Sequence, residues 1–272
     1  MRRIAQTFSR LRSEGQRALI PFVTAGDPDA DTTCELVTEL ARVGASIVEI
    51  GVPFTDPMAD GPVIQRASMR ALRNGCGVAQ ALDIIRKVRS NTDVPLVLFS
   101  YFNPLLQFGI ERLAGEARQA GADAVLVTDL PPEEAADLIA AFARNELDVI
   151  FLVAPTSSDE RLRTIAEHAS GFIYAVSRTG VTGAQTEVSN EARSLVSRVR
   201  RVTDLPVAVG FGISTRAQIS DVWGYADAAV VGSALVAEIE KLKGSADLIQ
   251  QVGNFMLALT PQQQNAVATV IK

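Results

Sequence analysis

Histidine, cysteine and tryptophan are scarce in this 272-residue sequence, which has one His, two Cys and one Trp. With His168 as the single histidine and no C-x-x-C spacing, the sequence does not predict a metal site. Cys34 and Cys76 make no disulfide framework and fit a reducing compartment, so we expect a cytoplasmic protein. The sequence also has no G-x-S-x-G segment, and a Ser-His-Asp triad is not predicted. Acid–base chemistry therefore falls to carboxylates, tyrosine or lysine.

Positive charge and long apolar runs are also in short supply. The 26 Lys and Arg are outnumbered by 31 Asp and Glu, and the net charge is −5. This balance argues against a nucleic-acid-binding surface. Apolar runs stay well below the roughly 20 residues that a membrane-spanning helix needs. The basic N-terminal segment lacks the apolar core of a signal peptide and is typical of an amphipathic helix.

Alternating strand-like and helix-like segments, in contrast, fill the whole length. Continuous apolar runs predict parallel strands covered on both faces, at 19–23, 47–50, 96–99, 124–127, 149–153, 172–176, 207–209 and 228–231. Helical spacing occurs between them, at 32–42, 78–89, 133–144 and 191–201. Eight such units predict an α/β fold, a single (β/α)8 TIM barrel domain over 1–272 with an extra N-terminal helix. The alternative is an open doubly wound sheet, but the first strand is not followed by a G-x-G-x-x-G loop.

Two acids stand where a barrel enzyme places its chemistry, at the C-terminal end of a strand and in the loop that follows. Glu49 interrupts the apolar run of the second strand, and Asp60 lies in the loop IVEIGVPFTDPMADG that begins there. As a pair they suit a division between a desolvated acid and an ionised base. Each acid also has a structural interpretation. Glu49 could pair with an arginine or cap a helix, and Asp60 could cap the helix that starts near Pro62.

Glycine-rich segments follow the last three predicted strands. Gly210-Phe211-Gly212 follows the seventh, and Gly232-Ser233 follows the eighth and opens a helix. Backbone N–H groups at such turns bind phosphate in this fold, although the glycines could serve tight turns alone. The segment SRTGVTG, residues 177–183, suits a lid that closes over the site, or a loop without a role. Tyr174 is predicted to be a core aromatic residue with its hydroxyl at the wet end of the sixth strand.

Four motifs in the same order resemble the tryptophan synthase alpha subunit family: IPFVTAGDPD (20–29), PFTDPMADGPVIQ (53–65), SRTGVTG (177–183) and VGFGIS (209–214). The resemblance covers essentially the whole chain. It implies retro-aldol cleavage of indole-3-glycerol phosphate to indole and glyceraldehyde 3-phosphate, in a TIM barrel, with no metal or organic cofactor in this subunit. Glu49 is then the general acid–base, and Asp60 interacts with the indole N–H. A desolvated Glu49 would hold its proton near neutrality, while Asp60 in a wetter loop would stay ionised.

The resemblance also assigns the remaining site residues. The positions that match phosphate-binding residues of the family are Gly183, Phe211, Gly212, Gly232 and Ser233. Thr182 matches the lid residue that meets Asp60 on closure. The indole pocket is expected to be lined by Phe22, Phe99, Leu126, Val153 and Tyr174.

A partner is implied as well. Members of the family work in an α2β2 complex, whose beta subunit carries pyridoxal phosphate and receives indole for L-tryptophan synthesis. Asp56 and Pro57, in the loop that carries Asp60, are expected to contact that subunit, as are Asn103 and Pro104. Docking could therefore order the loop and its acid.

Other functions remain open on the sequence. One is a related barrel enzyme, such as a phosphoribosyl isomerase or indole-3-glycerol phosphate synthase, although the predicted strands up to residue 99 lack the lysine expected of that synthase. Another is a stand-alone indole-3-glycerol phosphate lyase. A third, from a different class, is a non-catalytic subunit that only activates its partner.

Overall fold

A closed barrel of eight parallel strands is formed within residues 2–176, 185–210 and 212–262, which the computed structural model describes. Each strand pairs in parallel with the next along the chain, and the last pairs with the first. The strands are β1 Ala18–Thr24, β2 Val48–Gly51, β3 Leu96–Ser100, β4 Ala124–Val127, β5 Asp148–Val153, β6 Ile173–Val176, β7 Val207–Gly210 and β8 Ala228–Val231. All eight predicted strands are confirmed, with ends that differ by one residue at most.

Twelve α-helices occur in the described residues, and all but α1 come after β1 in the chain and lie outside the barrel. They are α1 Arg3–Ser13, α2 Ala30–Arg42, α3 Pro62–Arg73, α4 Val78–Arg89, α5 Phe102–Phe108, α6 Ile110–Ala120, α7 Ala136–Arg144, α8 Asp159–His168, α9 Gln185–Val199, α10 Arg216–Trp223, α11 Ser233–Leu242 and α12 Leu248–Leu259. Side-chain caps begin several of them. The Asp29 carboxylate accepts the Thr32 N–H at the start of α2, and the Ser158 hydroxyl accepts the Arg161 N–H at the start of α8.

One predicted helix begins later than expected. Residues Pro132–Glu134 form a single 3-10 turn, and α7 begins only at Ala136. The prediction of a single domain over 1–272 extends to 263–272, outside the described residues, and stays a prediction.

The interior of the barrel is filled by alternate strand residues and by the N-terminal helix. Inward-facing side chains form one apolar cluster with Ile4, Phe8 and Leu11 of α1. The Phe8 and Phe172 rings meet edge to face, 5.9 Å between centroids. Several inward residues of the barrel are only alanine, namely Ala18, Ala124, Ala208 and Ala228. The predicted N-terminal helix is thus confirmed, and its side chains fill the space that these small residues leave in the barrel.

Two buried carboxylates tie α1 to the barrel at the N-terminal ends of the strands. Arg2 pairs with Asp148 at the start of β5. Arg3 pairs with Asp123 at 3.0 Å, and Asp123 also accepts from Arg89 at 2.8 Å. Because this end of the barrel is closed by a helix, the opposite end, formed by the C-terminal ends of the strands, is left for a binding site.

Candidate active site

Glu49 lies inside the barrel, on the same face of β2 as Ile47, whereas Val48 and Ile50 pack outward among the helices. Its side chain is 1% exposed, and its Oε1 atom has no hydrogen-bond partner among the described residues. Burial raises the pKa of Glu49 to about 8. Neither an arginine partner nor a capped helix is found for it in the described part of the chain, which argues against the structural interpretation of Glu49. A buried carboxyl without a partner is costly in a folded protein unless it serves a purpose.

A second buried polar atom without a partner lies on the neighbouring strand. Thr24 is at the C-terminal end of β1, opposite Gly51 of β2, and is 3% exposed. Its Oγ1 atom has no hydrogen-bond partner among the residues described. Two unsatisfied polar groups, Thr24 and Glu49, thus lie on inward-facing positions of neighbouring strands, with Glu49 opposite Phe22 and Thr24 two residues further along β1.

Asp60 lies in the loop that joins β2 to α3. The N-cap residue of α3 is Gly61, and no side chain caps the helix, so the interpretation of Asp60 as a capping residue is wrong. The Gln65 side chain instead donates to the Asp60 carbonyl oxygen at 2.9 Å and fixes the end of the loop. The Asp60 carboxylate takes part in neither of these contacts.

Tyr101, directly after β3, contacts this loop through its hydroxyl group. Its hydroxyl oxygen accepts the Ala59 N–H at 3.0 Å, and the hydroxyl donates to the Asp60 carboxylate. The Phe54 ring packs on the Tyr101 ring at 5.4 Å. Burial raises the pKa of Asp60 to about 6, and the Tyr101 hydrogen bond opposes this rise. Asp60 is only partly buried whereas Glu49 is 1% exposed, so the expected wetter position of Asp60 is confirmed, as is the expected order, with the pKa of Glu49 above that of Asp60.

Apolar side chains surround the two acids. The Phe22 and Phe99 rings meet edge to face at 5.3 Å. Burial, and to a smaller extent the nearby Glu49 carboxyl, raise the pKa of Tyr174 well above its ordinary value. Two glycines make room for these rings. A β-carbon at Gly51 would lie 2.4 Å from Phe22, and one at Gly210 would lie 2.1 Å from the Tyr174 hydroxyl.

One expected pocket residue faces the wrong way. Val153 packs in the outer cluster between the barrel and its helices, so its assignment to the indole pocket is wrong. Leu152 packs with the inward-facing residues instead. The reason is the two-residue period of β5, which turns Ile150 and Leu152 inward and Val149, Phe151 and Val153 outward.

The glycine turns after β7 and β8 occupy the same end of the barrel. Gly212 has a φ of +77°, which favours glycine, and a β-carbon there would meet nothing within 4 Å. Gly232 is the N-cap residue of α11, and Ser233 is its first residue. The first N–H groups of a helix have no acceptor within it and attract anions. Three residues assigned to phosphate or lid contacts, Thr182, Gly183 and Phe211, lie outside the described residues, as does the segment 177–183.

The four expected partner contacts lie on neighbouring surface segments. Asp56 and Asn103 are exposed, and Pro57 and Pro104 are half-buried. Two large apolar side chains are exposed beside them, Met58 at 89% and Leu106 at 53%. Each of the two segments therefore exposes one large apolar side chain.

Sequence reasoning missed three residues of the site: Thr24, Gln65 and Tyr101. Strand ends and the turns after them line the mouth of a barrel, and this rule could have indicated Thr24 and Tyr101, whereas Gln65 lies within α3.

His168, at the end of α8, is exposed and contacts the Thr164 carbonyl at 2.8 Å. It plays no part at the mouth. No cluster of three or more potential metal ligands occurs in the described ranges, and no helix among them is long and apolar enough to cross a membrane.

A (β/α)8 barrel with carboxylic acids, apolar rings and glycine turns at its C-terminal mouth has the arrangement of a TIM-barrel enzyme. A family model described as "Tryptophan synthase alpha chain" matches residues 8–266. The chain is 51% identical over 259 residues to the tryptophan synthase alpha chain of Citrifermentans bemidjiense, covering 95% of this chain and 97% of that one. It is 52% identical over 259 residues to that of a Geobacter species, with the same coverage.

Solved structures give the same result. Tryptophan synthase subunit alpha from Legionella pneumophila superposes with a TM-score of 0.88 at 36% identity, covering 95% of this chain and 97% of that one. A chain of tryptophan synthase from M. tuberculosis, in its aminoacrylate-bound form, gives 0.85 at 35% identity, covering 96% and 100%. This chain belongs to the tryptophan synthase alpha chain family. It is a lyase of the tryptophan synthase type.

Proposed function

We propose that Glu49 and Asp60 are the acid–base pair with which this tryptophan synthase alpha chain cleaves indole-3-glycerol phosphate to indole and glyceraldehyde 3-phosphate. The supporting observation is the buried carboxyl of Glu49, whose Oε1 atom has no hydrogen-bond partner among the described residues and whose pKa of about 8 leaves it protonated at neutral pH. A protonated carboxylic acid inside a barrel is able to donate a proton to carbon. Asp60, with a pKa of about 6, is largely ionised at the same pH.

The reaction can be written as one proton cycle on Glu49. Glu49 donates its proton to C3 of the indole ring, and the positive charge that develops on the ring nitrogen is stabilised by the Asp60 carboxylate. The bond between C3 and the glycerol carbon then breaks. The hydroxyl on that carbon becomes the aldehyde carbonyl, and its proton returns to Glu49. The acid is regenerated, and no other reagent is consumed.

Substrate binding in this proposal uses two chemically different regions of the barrel mouth, one apolar and one formed by the glycine turns. Phe22, Phe99, Leu152 and Tyr174 offer apolar surface for the indole ring. The turn at Gly212 and the start of α11 at Gly232 and Ser233 offer backbone N–H groups for the phosphate. Thr182, Gly183 and Phe211 remain proposed contacts on the strength of the family resemblance.

The beta-subunit partner follows from the family, and we propose an α2β2 complex in which the beta subunit holds the pyridoxal phosphate. In that complex the alpha chain needs no organic cofactor or metal of its own. The surface around Asp56, Pro57, Asn103 and Pro104 is the proposed contact, and the exposure of Met58 and Leu106 there supports it. A cytoplasmic location is proposed from the two cysteines, which are buried and unpaired.

The test is indole release from indole-3-glycerol phosphate by the purified chain, with and without its cognate beta subunit, for the wild type and E49Q. We expect slow release alone, a large gain with the partner, and loss of nearly all cleavage in E49Q. Fast release without the partner would identify a stand-alone lyase. A wild-type chain that stimulates the beta subunit but cleaves nothing, with E49Q behaving identically, would identify a non-catalytic activating subunit.

A further inference from the structure

Arg70, on α3, joins two other parts of the chain to its own helix through one guanidinium group. Its Nε and Nη2 atoms donate to the two carboxylate oxygens of Asp27 at 2.7 and 2.8 Å. Its Nη1 atom donates to Glu240 of α11 at 2.6 Å. Arg66, one turn earlier on α3, also donates to Glu240, at 2.6 and 2.9 Å. The network therefore connects the β1–α2 turn, α3 and α11.

The two ion pairs of Arg70 are sheltered from water, whereas Arg66 is 53% exposed. The side chains of Asp27 and Arg70 are 3% and 18% exposed, and that of Glu240 is 21% exposed. The hydrogen bonds from Arg66 and Arg70 lower the pKa of Glu240 to about 2. A forked, two-oxygen ion pair fixes geometry as well as charge. Arg70 therefore holds α3 and α11 in a defined relative position.

The two helices that Arg70 joins each carry one half of the proposed site. Helix α3 begins at Pro62, two residues after Asp60, and the Gln65 side chain on α3 holds the Asp60 carbonyl. Helix α11 begins at Ser233, where the phosphate is proposed to bind. Between the helices, Ala67 and Val236 pack in one small cluster with Phe22. The two helices are therefore linked both by an apolar contact and by the ion pairs.

We propose that Arg70 is a positioning residue that couples occupation of the phosphate site to the placement of Asp60. The inference rests on the proposed function of the glycine turns and of Asp60. Arg70 touches neither the substrate nor the reacting atoms. Its effect on the reaction is therefore expected only when the substrate carries the phosphate that engages α11.

The experiment compares two substrates, indole-3-glycerol phosphate and the same molecule without its phosphate, indole glycerol. For R70A, we expect kcat on the phosphorylated substrate to fall roughly tenfold, a coupling typical of linked sites, and the slower rate on indole glycerol to change less than about twofold. Equal losses on both substrates would mean a general structural role and would overturn the proposal. A rise in KM alone, with kcat unchanged on the phosphorylated substrate, would also overturn it, because phosphate binding would then be all that Arg70 serves.

Three further variants sharpen the comparison. Arg73 is exposed on the same helix, and R73A is the matched control that should leave both rates unchanged. R66A removes one of the two arginines that hold Glu240 and keeps the Asp27 pair, so a smaller loss confined to the phosphorylated substrate is expected. R70K keeps the positive charge but loses the pair of hydrogen bonds to the two Asp27 oxygens. It tests the proposal if R70A proves poorly folded. Its expected loss again falls only on the phosphorylated substrate.

Failure of this proposal is distinguishable from failure of the proposed function. If the wild-type chain cleaves indole-3-glycerol phosphate and E49Q does not, the acid–base assignment stands whatever R70A does. If R70A then affects both substrates equally, only the coupling is lost.

Discussion

The Tyr174 hydroxyl occupies the space that a side chain at Gly210 would need. A β-carbon built on Gly210, at the end of β7, would lie 2.1 Å from that hydroxyl and 2.6 Å from the ring carbon that bears it. In the register of β6 and β7, Tyr174 is opposite Ala208 and Gly210 is opposite Val176, so the Tyr174 side chain reaches two residues further along β7 toward its C-terminal end. The absence of a side chain at Gly210 is therefore what allows the Tyr174 ring to reach the mouth of the barrel.

G210A should displace the Tyr174 ring. Overpacking of this kind typically costs about 1–3 kcal/mol of stability, and we expect the rate of indole release to fall because the ring moves into the substrate space. The measurements are urea unfolding and kcat/KM on indole-3-glycerol phosphate. The matched control is G115A in α6, where a β-carbon would meet nothing within 4 Å. That change should stabilise the helix by roughly 0.5–1 kcal/mol. Unchanged activity in G210A would contradict the steric account.

Y101F removes the hydroxyl that donates to Asp60 and accepts the Ala59 N–H. Because this hydrogen bond lowers the pKa of Asp60, its loss should raise that pKa above about 6. The ionised form would then appear only at higher pH, so the acid limb of the kcat/KM profile should move upward. Y225F serves as the control, since Tyr225 lies before β8 at the other end of the barrel. An acid limb that stays in place in Y101F would show that Asp60 does not govern it.

E49Q should make stability less dependent on pH. The pKa of Glu49 is raised on folding from 4.5 to about 8. Its favourable contribution to the free energy of unfolding is therefore complete below pH 4.5 and is lost as the pH rises through 8. The neutral amide of E49Q carries no such loss. The unfolding free energy of E49Q minus that of the wild type should therefore grow between pH 5 and pH 9, by on the order of 3–5 kcal/mol.

Urea unfolding at several pH values measures this difference. E134Q, at an exposed glutamate, provides the control and should follow the wild type throughout. A difference between E49Q and the wild type that stays constant with pH would mean that Glu49 is charged at neutral pH in the folded chain.

F8A should open a cavity at the closed end of the barrel, beneath Phe172. Phe-to-Ala changes in a packed core cost about 3–5 kcal/mol, and the small alanines around Phe8 leave little that could collapse into the space. The measurement is the free energy of unfolding in urea. S9A, on the exposed side of the same helix, should change it little. A loss below about 1 kcal/mol in F8A would mean that α1 is not part of the barrel core.

The barrel could be predicted from the sequence because each strand is a short apolar run between helical segments, a pattern with few other solutions. Glu49 could be predicted because a lone acid in such a run is costly to bury. The direction of Val153 could not be predicted, because a continuous apolar strand does not reveal which of its two faces points inward. The partial burial of Asp60 depends on Tyr101, more than 40 positions away, and local composition carries no trace of that contact.

The central claim is that a buried, protonated Glu49 supplies the proton for cleavage. The most direct test is a carbon-13 NMR titration of side-chain carboxyl groups in glutamate-labelled wild-type chain and in E49Q. We predict one carboxyl resonance that titrates near pH 8 in the wild type and is missing from E49Q. A resonance lost in E49Q that instead titrates near pH 4.5, the ordinary value for glutamate, would contradict the account.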